Sequence, residues 1–91
     1  MIHKIARFTV RPEKVDVCIA AIAAFIAAIR EHEQDTIVYD SYQEPDGVSF
    51  FHMMSFRDTA AEALHRETPH VKKFVATLYP NCASEPTFTN L

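Results

Sequence analysis

Histidines are the side chains of this sequence best suited to acid–base chemistry near neutral pH, and His70 has the most informative position. The run Thr68-Pro69-His70 is typical of a helix start, with Thr68 as the N-cap and Pro69 in the first turn. The positive end of the helix dipole disfavours an imidazolium there. A neutral His70 in an apolar pocket could accept a proton from a phenol or an enol, which could then react with O₂. Alternatively, His70 only packs and hydrogen-bonds at the helix start.

His52 is the second catalytic candidate, because it lies among large apolar residues of a predicted strand. If that strand face lines a pocket, His52 is a polar group in an apolar cleft. We expect Asp40 to lie opposite His52 and to orient it. Alternatively, His52 is a buried histidine satisfied by its neighbour. Tyr39 and Tyr42 point to opposite faces of their strand, so that one could contact a substrate and the other a subunit interface.

His65 precedes His70 by five residues, which does not place two imidazoles on one helix face. Pro69 interrupts the helix between them, and the pattern is not H-E-x-x-H. The sequence therefore predicts no metal site. It leaves His65 as a partly exposed residue at a helix end or as a substrate contact.

The elements that must position these residues follow from hydrophobic periodicity and turn residues. Pro45-Asp46-Gly47 contains the only glycine of the chain and predicts a hairpin with a three-residue loop, which would place Tyr42 near Phe50. The order β-α-β-β-α-(α)-β predicts an α+β, ferredoxin-like fold with an antiparallel sheet. The predicted elements are a strand at 2–11, a helix at 13–33, strands at 36–44 and 48–57, a short helix that starts at Asp58-Thr59 and runs to about Arg66, a third helix from Pro69 that Pro80 ends, and an edge strand at 85–91.

Both faces of the predicted strand 48–57 carry large apolar groups, so we expect both to be covered. The chain's own helices would cover one face and a partner sheet the other. The chain is 91 residues long and fits a single domain, 1–91, and 48% of its residues are hydrophobic while 23% are charged. This surplus of apolar side chains favours a homodimer or a higher oligomer.

Several classes of protein are disfavoured by composition. The net charge is −3 and no run of Lys or Arg occurs, so nucleic acid is not an expected partner. The longest uncharged apolar run, Val17 to Ile29, has 13 residues, whereas a membrane-spanning helix needs about 20. The N-terminus does not have the pattern of a signal peptide, and the two cysteines, Cys18 and Cys82, are not spaced as CxxC. We therefore expect a cytoplasmic protein with reduced thiols and no membrane partner.

Five stretches of the chain form an ordered set of motifs. They are 5–15, Tyr39-Asp40-Ser41-Tyr42-Gln43, Phe56-Arg57-Asp58, His65-Arg66-Glu67-Thr68-Pro69-His70 and Val71-Lys72-Lys73-Phe74. In order and at matching spacing, they resemble the antibiotic biosynthesis monooxygenase family, which often shows H-x-x-T-P-H at the fourth stretch. The resemblance implies a dimer with packed sheets, a dimeric α/β-barrel, with a pocket between sheet and helices in each subunit. Some members oxidise phenols or quinols with O₂ and neither metal nor flavin, while others isomerise a small phosphorylated signal molecule or degrade haem.

The chain departs from the family pattern on the third strand. Met54 and Phe56 stand where the family often has Glu and Trp, and the protein contains no Trp. Arg7 is near the position of an Asn that haem-degrading relatives use, so haem degradation is disfavoured.

Together, the residues and the resemblance predict a cofactor-independent monooxygenase for a small aromatic or quinol-like molecule. His70 and His52 would be catalytic, and no metal or cofactor is expected. The alternatives are an isomerase or lyase of a small carbonyl compound, similar to enzymes of autoinducer degradation, and a non-catalytic module that binds a small ligand. The predicted substrate-binding residues are Tyr39, Asp40, Met54, Phe56, His65 and Phe74.

Overall fold

A computed structural model describes all 91 residues and contains one four-stranded antiparallel sheet in the order β2-β3-β1-β4. Three α-helices pack on one face of this sheet, so the predicted α+β ferredoxin-like arrangement is confirmed. No helix combines the length and the apolar character that crossing a bilayer requires. The elements are β1 (Ile2–Thr9), α1 (Val15–His32), β2 (Thr36–Gln43), β3 (Ser49–Phe56), α2 (Thr59–Arg66), α3 (Pro69–Leu78) and β4 (Thr87–Asn90), with short 3₁₀ turns at Pro12–Lys14 and Tyr79–Asn81.

The two short helices, α2 and α3, each begin at a residue whose side chain caps the helix. The Asp58 carboxylate accepts a hydrogen bond from the Ala61 N–H at 2.8 Å and so caps α2. The Thr68 hydroxyl accepts one from the Val71 N–H at 3.3 Å, and Pro69 is the first residue of α3. The predicted N-cap is therefore confirmed. These caps fix where α2 and α3 begin, which helps to set the positions of His65 and His70.

The hairpin between β2 and β3 forms where it was predicted, but its loop is one residue longer. Gly47 has a φ of +78°, and the Asp46 carboxylate accepts hydrogen bonds from the backbone N–H groups of Val48 and Ser49. The Glu44 N–H donates to the Ser49 carbonyl at 2.8 Å, which leaves four residues in the loop.

The extra loop residue moves every cross-strand pair by one position. The predicted pairing of Asp40 with His52 is wrong, because Ser41 lies opposite His52. Asp40 pairs with Met53 instead, and its carboxylate lies 3.6 Å from the guanidinium of Arg30. The predicted pairing of Tyr42 with Phe50 is likewise wrong, since Tyr42 lies opposite Phe51.

The core lies between the helices and the inner face of the sheet. Alternate residues of β3 point into it, and Phe50, His52, Met54 and Phe56 are all buried. Phe25 of α1 stacks on Phe74 of α3, with ring centroids 4.2 Å apart. The inner face therefore carries the side chains that can line a cavity under the helices.

Candidate functional site

A cavity of about 520 Å³ lies between the inner face of the sheet and the three helices. Its walls are mostly apolar and include Phe8 from β1, Met54 and Phe56 from β3, and Phe74 from α3. A cleft of this size and character suits a small, largely apolar molecule held by a few polar groups. The lining residues with polar or charged groups are Lys4, Tyr39, His52, Glu62, His65, Arg66 and Tyr79.

His52 is buried on the floor of the cavity, with 1% of its surface exposed. Its Nδ1 lies 3.0 Å from the Tyr39 hydroxyl, and its Nε2 is buried without a hydrogen-bond partner. If the Tyr39 hydroxyl donates its proton to Nδ1, the only buried group left unpaired is the Nε2–H of His52. If Nδ1 donates instead, both the Tyr39 O–H and the Nε2 lone pair are unpaired, so the first arrangement is favoured. His52 then carries its own proton on Nε2. This N–H is buried and unpaired, on a residue that lines the cavity.

Burial keeps this pair neutral. Removal from water lowers the pKa of His52 from its usual 6.5 to about 4. Burial likewise raises the pKa of Tyr39 far above its ordinary value, and the nearby Glu33 carboxylate adds to this effect. At neutral pH both side chains are therefore uncharged hydrogen-bonding groups.

The His52 environment predicts a loss of stability in acid. The pKa of His52 is lower in the folded chain than in the unfolded chain, so at pH values between the two the unfolded chain binds more protons. The free energy of unfolding therefore falls as the pH drops from 6.5 toward 4. Between pH 7 and pH 5 this group alone should remove about 2 kcal/mol of unfolding free energy. Urea titrations of wild type and His52→Gln at one protein concentration measure the effect. Equal pH slopes for the two proteins would contradict it.

A second polar cluster forms around the Glu33 carboxylate, just beyond the end of α1. Oε1 accepts a hydrogen bond from the Thr36 hydroxyl and lies 2.7 Å from Nδ1 of His65. Oε2 is in hydrogen-bond contact with Nε2 of His70. The Glu33 side chain is only 6% exposed, and its partners come from the start of β2, the end of α2 and the start of α3.

The hydrogen bonds keep Glu33 ionised despite its burial. Burial by itself would raise the pKa of this carboxyl, but the bonds from His70, Thr36 and His65 outweigh it and the pKa lies below its ordinary value. An ionised carboxylate only accepts hydrogen bonds, so Nδ1 of His65 must carry the proton in the bond to Glu33. This arrangement fixes the tautomer of His65 and leaves a lone pair on Nε2.

His65 presents that lone pair within an aromatic environment. The residue is 8% exposed and lines the cavity, and no protein group bonds to Nε2. Its ring centroid lies 5.1 Å from that of Phe56 and 5.8 Å from that of Tyr39. Burial lowers the pKa of His65, while the Glu33 carboxylate opposes this by stabilising the imidazolium. The cavity lining thus includes one histidine with an unpaired acceptor, His65, and one with an unpaired donor, His52.

The comparison with known families agrees with this architecture. The model of the family described as antibiotic biosynthesis monooxygenase matches residues 1–77. The chain belongs to the antibiotic biosynthesis monooxygenase family. The resemblance seen in the sequence motifs is therefore confirmed, and a monooxygenase-like role is supported at the level of the family.

Solved structures show how closely this member of the antibiotic biosynthesis monooxygenase family keeps the fold. A structure described as an antibiotic biosynthesis monooxygenase has a TM-score of 0.94 at 21% identity, over 100% of this chain and 96% of the other. Rv0793 from Mycobacterium tuberculosis has a TM-score of 0.91 at 28% identity, over 99% and 91%. PA3566 from Pseudomonas aeruginosa has a TM-score of 0.89 at 24% identity, over 99% and 90%. No curated protein matches the sequence.

The structure brings most of the sequence-predicted site residues of this family member together. Two of them, Asp40 and His70, do not line the cavity. Asp40 faces Arg30, and the His70 ring turns toward Glu33 and a second groove between α1 and α3. The residues that do line the cavity are Tyr39, His52, Met54, Phe56, His65 and Phe74.

Glu33 is a residue of the candidate site that the sequence analysis did not predict. An acidic residue at the C-terminal end of a helix is disfavoured by the helix dipole, so its presence after His32 was an available signal. Such a residue needs compensating partners elsewhere in the fold. Here two histidines provide them.

Proposed function

We propose that this member of the antibiotic biosynthesis monooxygenase family oxidises a small phenol or hydroquinone with O₂, using neither a metal nor an organic cofactor. The single observation that carries the proposal is the Glu33–His65 pair, in which a buried carboxylate bonds to Nδ1 of an imidazole on the lining of an apolar cavity. A carboxylate-bonded imidazole is a recurrent general base. We assign His65 as the proton acceptor in this reaction.

The roles of the two cavity histidines follow from their partners. The Glu33 carboxylate stabilises the imidazolium that forms when His65 takes a proton, whereas His52 has only a neutral phenol beside it. With a pKa of about 4, His52 is a poor base for a phenol, whose pKa is near 10. His52 is better suited to donate from Nε2 to a substrate oxygen, and Tyr39 holds it in that tautomer. His70 becomes a positioning residue that holds the second oxygen of Glu33.

The proposed reaction balances without another electron donor. His65 removes a hydroxyl proton from a hydroquinone, and the resulting anion, which is far more easily oxidised than the neutral ring, transfers electrons to O₂. One oxygen atom forms a C–O bond on the ring and the other leaves as water, giving a hydroxyquinone. The substrate supplies all four electrons that O₂ accepts. The apolar walls would favour this step by keeping bulk water from the anion and the reduced oxygen.

Oxygen uptake provides the test of this function. Purified protein treated with a chelator is mixed with a panel of hydroquinones and naphthol-type phenols, and O₂ consumption is followed with an electrode. We expect enzyme-dependent uptake and, with isotopically labelled O₂, one labelled atom in the product. Binding of panel members without turnover would instead support a module that only binds ligands, and the oxygenase assignment would be abandoned.

A second reaction class fits the same pair of histidines. An acceptor on His65 and a donor on His52 can together move a proton next to a carbonyl group, which is an isomerase reaction. Exchange of substrate protons for deuterium in an NMR assay with small hydroxyketones would detect it. This reaction would proceed equally well under argon, whereas the oxygenase reaction would stop.

We also propose that the functional unit is a homodimer joined through the outer sheet face. Met53 and Tyr42 are 42% and 55% exposed there, beside the half-buried Phe51 and Ile5. An apolar patch on a sheet that has helices on its other face favours a second copy as the covering layer.

The dimer predicts a clear effect of charge on this face. Met53→Lys should shift the protein from dimer to monomer in analytical ultracentrifugation, because two buried ammonium groups would meet at a symmetric contact. Leu64→Lys is the matched control, since Leu64 of α2 is 68% exposed on the helical side. A monomeric wild type, or a Met53→Lys protein that remains dimeric, would contradict the proposed interface.

A further inference from the structure

Arg66 differs from every other arginine of the protein in having no hydrogen-bond or ion-pair partner. It is the last residue of α2, is exposed, and lines the mouth of the cavity next to His65. The other arginines are engaged: Arg7 with Glu44, Arg11 with the Pro80 carbonyl, Arg30 with Asp40, and Arg57 with Asp35.

The remaining charges at the cavity mouth cancel one another. The Lys4 ammonium is in direct contact with the Glu62 carboxylate, and their side chains are 17% and 12% exposed. Glu62 lies four residues before Arg66 on α2, and its carboxyl pKa is lowered mainly by Lys4 and to a smaller degree by the charge of Arg66, yet Glu62 and Arg66 do not form an ion pair within 4 Å. Arg66 is therefore the cation of the rim that has no direct partner, above walls that are mostly apolar.

We propose that Arg66 is a specificity-determining residue that binds a carboxylate carried on the aromatic ring of the substrate. A guanidinium offers paired N–H donors that match the two oxygens of a carboxylate, and it remains charged throughout the usual pH range. With the carboxylate at Arg66, the ring enters the apolar cavity and a ring hydroxyl can approach His65. This proposal rests on the proposed function, because it assumes that the occupant is an oxidisable aromatic ring.

The test compares two probes that differ only in the carboxylate. Hydroquinone and 2,5-dihydroxybenzoate are titrated into wild-type protein by calorimetry under argon, so that binding is measured without turnover. We expect 2,5-dihydroxybenzoate to bind roughly 10-fold or more tightly than hydroquinone, with a preference that weakens as salt increases. The variant Arg66→Gln should bind both probes with equal affinity. Arg66→Lys should retain part of the preference, because it keeps the charge but loses the paired donors.

Arg57→Gln is the matched control, because Arg57 follows β3, lies outside the cavity lining and pairs with Asp35. It should retain the full preference of wild type. Equal binding of the two probes to wild type, or a preference that survives in Arg66→Gln, would overturn the assignment of Arg66 while leaving the oxygenase proposal intact. If neither probe binds and no member of the oxygenase panel is consumed, both proposals fail together.

Discussion

Replacing His65 with asparagine should lower kcat/KM for O₂-dependent quinol oxidation by roughly 10²- to 10⁴-fold, the usual contribution of a general base. Asparagine can still donate a hydrogen bond to Glu33, but it has no basic nitrogen to take the substrate proton. We expect the loss to lie mainly in kcat, because the apolar walls would still bind the ring. Steady-state O₂ uptake measures both parameters.

Three further variants test whether the loss of activity in His65→Asn reflects the Glu33–His65 pair. Glu33→Gln should lower kcat as well, because it removes the charge that stabilises the His65 imidazolium, and should change its pH dependence. Glu31→Gln and His32→Asn are matched controls on the same helix end, since their side chains are 75% and 62% exposed. Both controls should behave as wild type. Full turnover by His65→Asn would show that the proton acceptor is another group.

Replacing Phe25 with alanine should lower the unfolding free energy by about 3–5 kcal/mol, the range for truncating a buried phenylalanine. Phe25 is 4% exposed and stacks on Phe74. It also packs edge-on against Tyr39, with centroids 5.3 Å apart, and tilts against His65 at 5.9 Å. Its removal would leave a void between α1, α3 and the cavity. Urea unfolding at one fixed protein concentration gives the free energy.

Ile19→Ala is the control for this substitution, because Ile19 lies on the same helix and is 40% exposed. Its cost should be well below that of Phe25→Ala, since much less buried surface is lost. Phe25→Ala should also weaken the binding of any aromatic probe, because the ring supports two cavity side chains. A stability loss no larger than that of Ile19→Ala would show that the surrounding helices collapse to fill the space.

The Glu33 cluster is formed by residues that are far apart in the sequence, so no single sequence motif contains it. His65 and His70 are separated from Glu33 by 32 and 37 residues, and both reach the same carboxylate. The contacts join the end of α1 to the junction between α2 and α3. The hydrogen bonds that orient His65, the proposed base, therefore also connect α1 to α2 and α3.

The local structure of this protein was predictable from the sequence because its causes are local. Thr68 and Pro69 specify a helix start through bonds within one turn, and alternation along β3 specifies which side chains share a face. The ordered motifs were sufficient to recognise the family. The alternation along β3 also placed His52 on the face that lines the cavity, whereas the spacing of the histidines left the role of His65 open.

Only the tertiary structure decided the register of the hairpin and the direction of the histidines. One additional loop residue placed Ser41 opposite His52 and turned Asp40 away, a difference that the turn residues alone do not encode. His70 points to Glu33, and His65 has a lone pair free, because a carboxylate distant in sequence is buried between them. The direction of a side chain depends on its hydrogen-bond partners, and here those partners meet only after four elements have packed.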